Sequence, residues 1–145
     1  MYTTYLSWLL LAPLFLSLAA FATRWLGKQS VRAAEIIHLI SITAVLALSL
    51  GVLQGVFNEG SVIARDNWFH VDALAAIFMM IVSVVGFLVG LYAIAYIRQD
   101  LKMGELKEDQ VSLFYGLLNL FIFTMLLVVT SNNIIMMWVA IEATT

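Results

Sequence analysis

"FYGLLNLFIFTMLLVVTSNNIIMMWVAIEATT", residues 114–145, holds two apolar runs, a short uncharged linker and one charged residue, Glu142. The first run, extended back to Leu113, ends near Thr130. A helix over those residues is about 27 Å long at 1.5 Å per residue, close to the ~30 Å hydrocarbon core of a bilayer. The second run starts near Ile134. The linker "TSNN" is too short for anything but a tight reversal, so the two runs read as neighbouring antiparallel helices crossing a membrane.

The same pattern repeats toward the N-terminus. Apolar runs cover about 5–23, with Pro13 inside, then 36–56 and 71–97. Proline is tolerated in membrane helices because neighbours re-satisfy the freed carbonyl. The expectation is an all-α, polytopic transmembrane helix bundle, with four complete helices (5–23, 36–56, 71–97, 113–130) and the start of a fifth (134–145). It forms a single region, 1–145, without a soluble domain.

Composition supports lipid as the solvent. The chain is 63% hydrophobic and 11% charged, against about 45–50% and about 25% in soluble domains. A soluble fold of this size could not bury so much apolar surface. The net charge of -2 offers no basic face and excludes a nucleic-acid partner. The absence of cysteine excludes disulfides and thiolate metal sites. "LAAFAT", with Ala20 and Ala22, resembles a signal-peptidase site. The N-terminus lacks the basic start of a signal peptide, and its apolar stretch is too long, so the first run is read as a retained helix.

The seven basic residues fall between the apolar runs. Arg24, Lys28 and Arg32 lie between the first and second. Arg65, near Glu59 and Asp66, lies between the second and third. Arg98, Lys102 and Lys107, mixed with Asp100, Glu105, Glu108 and Asp109, lie between the third and fourth. Positive charge marks the cytoplasmic side, which puts the first and third loops inside and the N-terminus outside, in the periplasm if this is a bacterial inner membrane. Trp8, Trp25, Trp68, Tyr92 and Tyr96 lie near the expected interfaces, where amphipathic rings settle.

Glu142 is the leading candidate for function. Nine residues beyond Asn133 put it roughly 13 Å along the fifth helix, near the bilayer midplane. An ionised carboxylate there costs about 3 kcal/mol on insertion scales. Its ionisation should therefore depend on a nearby cation, which suits a proton relay. The alternative is a permanently neutral acid bonded to another helix. With all basic residues expected in loops, its cationic partner would lie on another segment or chain. Trp138 and Thr145 share its helix face, and Asn119 and Thr124 of the fourth helix could meet that face. These two, His38 near the cytoplasmic end of the second helix, and Asp72 at the start of the third are read as relay or helix-packing groups. The residue types favour packing for Asn119 and His38 and capping for Asp72. Ser83, Gly86 and Gly90 share a face of the third helix, where small residues let helices approach. No nucleophile–base pair, nucleotide loop or metal-ligand cluster is present in the sequence, so no catalytic centre or cofactor is expected in this chain.

"FHVDALAAIFMMIVSVVGFLVGLYAIAYI", residues 69–97, resembles the third-helix region of the antiporter-like subunits of complex I. Residues 114–145 resemble their fourth helix and the start of the fifth. Mrp-type cation/proton antiporters and membrane-bound hydrogenases share that fold, and "WVAIEATT" is most similar to hydrogenase-4 component F. The resemblance runs from Trp68 to Thr145. It implies that Glu142 matches the fifth-helix glutamate of the proton path, which in that family is tuned by a lysine on a later helix. It further implies that this chain is the N-terminal piece of a longer subunit with inverted helical repeats. Its partners would be the lipid bilayer, other membrane subunits and a peripheral redox arm carrying iron–sulfur and nickel or flavin centres. Two other readings are a structural membrane anchor for a peripheral enzyme and an Mrp-type cation/proton antiporter subunit.

Overall fold

The computed structural model describes residues 1–25 and 30–144. Lys28 and Thr145, both used above, lie outside them. Five helices follow one another: α1 (Tyr2–Ala22), α2 (Ser30–Glu59), α3 (Ala73–Met103), α4 (Glu108–Thr130) and α5 (Ile134–Thr144). The first four are long and apolar enough to cross a membrane, and α5 is a shorter apolar helix. The chain is a multi-pass membrane bundle. A small antiparallel pair, β1 (Val62–Ala64) and β2 (Phe69–Val71), adds a hairpin between α2 and α3.

Local chemistry sets the helix ends. Asp72 Oδ1 accepts the Ala75 N–H at 2.8 Å and caps α3, filling one of the donors a helix start leaves open. Gly104, at φ 75°, closes α3 in the left-handed region, where glycine carries no Cβ penalty. The Lys107 N–H donates to Gln110 Oε1 at 2.9 Å at the start of α4, and Glu108 and Asp109 occupy its first turn, where the helix dipole favours acids. The linker "TSNN" has the same role for α5: Asn133 Oδ1 accepts from the Ile135 and Met136 N–H groups at 2.9 and 3.2 Å.

Two helices are longer than the apolar runs indicate. At 30 and 31 residues, α2 and α3 are each about 45 Å long, well beyond the hydrocarbon thickness. The expectation that every basic residue lies in a loop is therefore corrected. Arg32 lies in α2, and Arg98 and Lys102 lie in α3. Backbone hydrogen bonding continues into the polar interface, where charged side chains reach water.

The hairpin carries a strained turn. Arg65, Asp66 and Asn67 all have positive φ, at 54°, 52° and 71°. Asp and Asn tolerate this region, but for Arg65 such a backbone costs roughly 1–2 kcal/mol, and neighbouring contacts hold the turn. They come from the α4–α5 linker. The Asn132 N–H donates to the Trp68 carbonyl at 2.9 Å and Asn132 Nδ2 to the Asn67 carbonyl at 3.0 Å, while Phe69 and Ser131 form a β-bridge.

The bundle is arranged around α2 and α4, which touch each other; α1 packs on both, α3 packs on both, and α5 packs on α4. Leu6 and Leu9 of α1, Ile42, Val45 and Val52 of α2, Met79 of α3 and Leu126 of α4 are buried in one core. The outward faces stay apolar: Phe78, Ile81, Val85 and Leu88 of α3 and Leu117 and Phe121 of α4 are exposed, as a lipid-facing surface requires. A cavity of about 530 Å³ lies between α1, the hairpin and α4, with Leu10, Leu14, Trp68, Phe69 and Leu127 among its lining and Met136 of α5 at its wall.

Gly116 sets how closely α1 approaches α4. A Cβ there would lie 2.6 Å from the Phe21 ring, whereas one at Gly86 would meet Ile122 at 3.4 Å, an ordinary contact. Gly116→Ala is expected to destabilise the bundle by about 1–3 kcal/mol, while Gly86→Ala should be near neutral. Thermal unfolding of the two variants in the same detergent checks the difference.

Candidate functional site

Glu142 lies in the last turn of α5, exposed on the outer surface of the described residues. Trp138, one turn earlier, is exposed as well. This apolar helix touches the rest of the bundle along α4. The carboxyl thus stands on the side of α5 that the bundle leaves uncovered. The fourth-helix residues considered as its neighbours are engaged elsewhere. Asn119 is fully buried and turned toward α2, where its Oδ1 lies 2.8 Å from His38 Nδ1. The Thr124 hydroxyl donates to the Phe121 carbonyl, 2.8 Å away in its own helix. Asp72 caps α3 at the hairpin end. The structure therefore joins His38 to Asn119, while the Thr124 hydroxyl bonds within its own helix and Asp72 caps α3.

The His38–Asn119 contact belongs to a larger polar cluster. The His38 ring stacks on Tyr115 with centroids 4.7 Å apart and planes at 24°. Tyr115 and Asn119, four residues apart, share a face of α4, and His38 contacts both. Gly90 of α3 makes room on the far side: a Cβ there would lie 2.9 Å from His38 Nε2. The Ser83, Gly86, Gly90 face is thus a packing face, and Gly90 is needed for the histidine to fit. One turn before His38 on α2, the half-buried Glu35 forms an ion pair and hydrogen bonds with Arg98 of α3.

Glu35, Arg98 and Tyr115 were not anticipated as members of a site. Glu35 sits three residues before His38, and Tyr115 four before Asn119, so each pair shares a helix face and was open to that reading. What hid them was the loop assignment of Arg98 and the interhelical register, which no local pattern encodes. Among the described residues, no group of three or more His, Cys, Asp or Glu side chains is placed to hold a metal ion.

A family model for the N-terminus of chain 5 of NADH-ubiquinone oxidoreductase (complex I) matches residues 66–104, the hairpin loop and all of α3. A hydrogenase-4 component F homolog of Methylacidiphilum infernorum is 32% identical over 79 residues, covering 54% of this chain and 17% of the relative. NADH-ubiquinone oxidoreductase chain 5 of Cryphonectria parasitica is 32% identical over an alignment that covers 95% of this chain and 21% of the relative. A putative antiporter subunit of Staphylococcus saprophyticus is 37% identical over 76 residues, 52% of this chain and 9% of the relative. The chain spans about a fifth or less of the length of these curated relatives. The chain belongs to the family of antiporter-like membrane subunits that takes in complex I chain 5, hydrogenase-4 component F and the Mrp-type antiporter subunits.

Proposed function

We propose that this chain forms the N-terminal part of a proton-translocating antiporter-like subunit in a membrane-bound hydrogenase or complex I-like oxidoreductase, with Glu142 in the proton path. The observation that carries the reading is a carboxyl within an otherwise apolar α5, in a chain related to subunits of that family. Intramembrane acids are costly and usually mark ion pathways or partners. The exposed side of α5 offers the carboxyl to further membrane segments of the same assembly, where a cation could govern its ionisation. Redox chemistry, with iron–sulfur and nickel or flavin centres, belongs in this reading to partner subunits of a peripheral arm.

The distribution of charge supports an inner-membrane orientation with the N-terminus in the periplasm. Arg24, Arg32, Arg98, Lys102 and Lys107 gather at one end of the bundle, and Arg65 sits at the hairpin end. The first end faces the cytoplasm by the positive-inside rule. An Mrp-type cation/proton antiporter subunit is the second reading, favoured by the 37% identity to the staphylococcal antiporter relative.

Two measurements test this. In the assembled complex, Glu142→Gln should abolish proton translocation per electron pair while the complex still assembles on a native gel. Glutamine keeps the volume and most hydrogen bonds but cannot ionise. Normal pumping with normal assembly would turn the reading to a structural membrane anchor. A cysteine placed at Lys102 should react with an impermeant thiol reagent only from the cytoplasmic side, and labelling only from outside would reverse the orientation.

A further inference from the structure

The cavity between α1, the hairpin and α4 has no part in the proton-path reading. Its volume is about 530 Å³, within the roughly 300–1,000 Å³ of ligand clefts. Protein interiors hold few voids larger than a water molecule, so this space is more than loose packing. Ser7, Leu10, Leu11 and Leu14 line it from α1. At 1.5 Å per residue they span about 10 Å along that helix, from near the membrane interface into the hydrocarbon region. Phe123 and Leu127 of α4 add a second apolar wall. Water among such side chains would lack the 2–4 polar partners it needs. The apolar medium that a bilayer supplies is the acyl chain.

The hairpin end of the cavity is polar. Arg65 and Asp66 both line it and both are exposed. Among the described residues, neither side chain makes an ion pair or a hydrogen bond. Asn132 clasps the turn through the neighbouring Asn67 carbonyl, so the backbone that carries the two charges is held in place. Consecutive Cα atoms are about 3.8 Å apart, of the order of the two-carbon spacing between phosphate and amine in an aminoethyl phosphate. A guanidinium binds phosphate through two parallel hydrogen bonds, and a carboxylate accepts from an ammonium. Trp68, half exposed in the same lining, supplies a ring that suits the membrane interface and the approach of a cation. One positive and one negative charge side by side favour a zwitterionic headgroup over an anionic one, which Asp66 would repel.

We propose that this cavity binds one zwitterionic phospholipid from the leaflet at the hairpin end of the bundle. One acyl chain enters between α1 and α4, the phosphate rests on Arg65 and the amine on Asp66. The lipid fills an apolar void and pairs two charges that otherwise meet only solvent. Met136 also lines the cavity, so the lipid packs against the first turn of the helix that carries Glu142. Binding requires no proton movement, and its failure would leave the proton-path reading untouched.

The test uses the full chain in vesicles of phosphatidylglycerol with a minor fraction of phosphatidylethanolamine. A trace of one lipid or the other carries a diazirine in its acyl chain. After irradiation, peptide mapping gives the label on Leu10, Leu14 and Leu127 relative to Phe78 and Leu88, which are exposed on the outer face of α3. That ratio cancels probe dilution. It should be several-fold higher with the phosphatidylethanolamine probe than with the phosphatidylglycerol probe. Arg65→Gln should lower it several-fold, and Arg65→Lys should restore most of it. Both replacements take up the same left-handed backbone, so they separate the charge from the shape of the turn. Asp66→Asn should narrow the difference between the two probes. A cavity that labels no more than α3 with either probe overturns the site. Equal ratios for the two probes, or a ratio unchanged in Arg65→Gln, overturn the headgroup assignment. Label displaced by a headgroup-free isoprenoid alcohol, but not by unlabelled phosphatidylethanolamine, overturns the phospholipid in favour of a prenyl chain.

Discussion

One face of α4 holds the first two helices. Ser17 of α1 donates its hydroxyl to the Gly116 carbonyl at 2.8 Å, Thr23 at the end of α1 shares a 2.8 Å hydrogen bond with Ser112, and Asn119 bonds His38 of α2. Ser112, Gly116 and Asn119 lie about one turn apart, so these three contacts form a single seam. In a bilayer such a seam stands in for the hydrophobic drive that holds helices together in water. Lipid tails are as apolar as leucine, and helices associate through close packing and interhelical hydrogen bonds. Gly116 contributes both, because its missing Cβ admits the Phe21 ring and its carbonyl accepts from Ser17.

The seam also explains where polar residues appear in an apolar sequence. Ser17, His38, Ser112 and Asn119 are all fully buried; Ser17, His38 and Asn119 lie within the apolar runs, and Ser112 lies at the edge of one. They give the bundle its register. Pure leucine packing between α1, α2 and α4 would tolerate a shift of a turn, whereas paired donors and acceptors would not. The Glu35–Arg98 pair acts similarly between α2 and α3, nearer the aqueous end, where one partner stays in contact with solvent.

Much of this fold was legible in the sequence. Runs of about twenty apolar residues defined four spans, and Asp72 announced the start of the third helix through a side chain suited to capping; the cap that Asn133 gives α5 emerged only from the structure. The spans came out short because hydropathy records where lipid ends, while a helix such as α3 continues as long as its backbone bonds do. That difference moved Arg98 out of its expected loop and hid its pairing with Glu35. The hairpin escaped notice because its strands are only three residues long and are supported by Asn132, distant in sequence. At the candidate site, Glu142 stood out because a lone acid in an apolar run needs no register to be noticed. Asn119 and His38 were visible as polar residues, but their mutual contact depends on how α2 and α4 rotate against each other, which no single helix encodes.

The clasp between Asn132 and the hairpin has a mechanical consequence. It anchors the first residues of α5 to a turn whose backbone is already strained, so that end of the helix is a fixed point. Along the rest of its described length α5 rests against α4, and the cavity beside Met136 leaves free volume near the anchor. A rod pinned at one end swings rather than slides. With Glu142 roughly 13 Å from the pin, a tilt of about 10° carries its carboxyl by about 2 Å, nearly the difference between a hydrogen bond and its loss. The hairpin, far from the acid in sequence, thus fixes the end of the helix that carries the carboxyl.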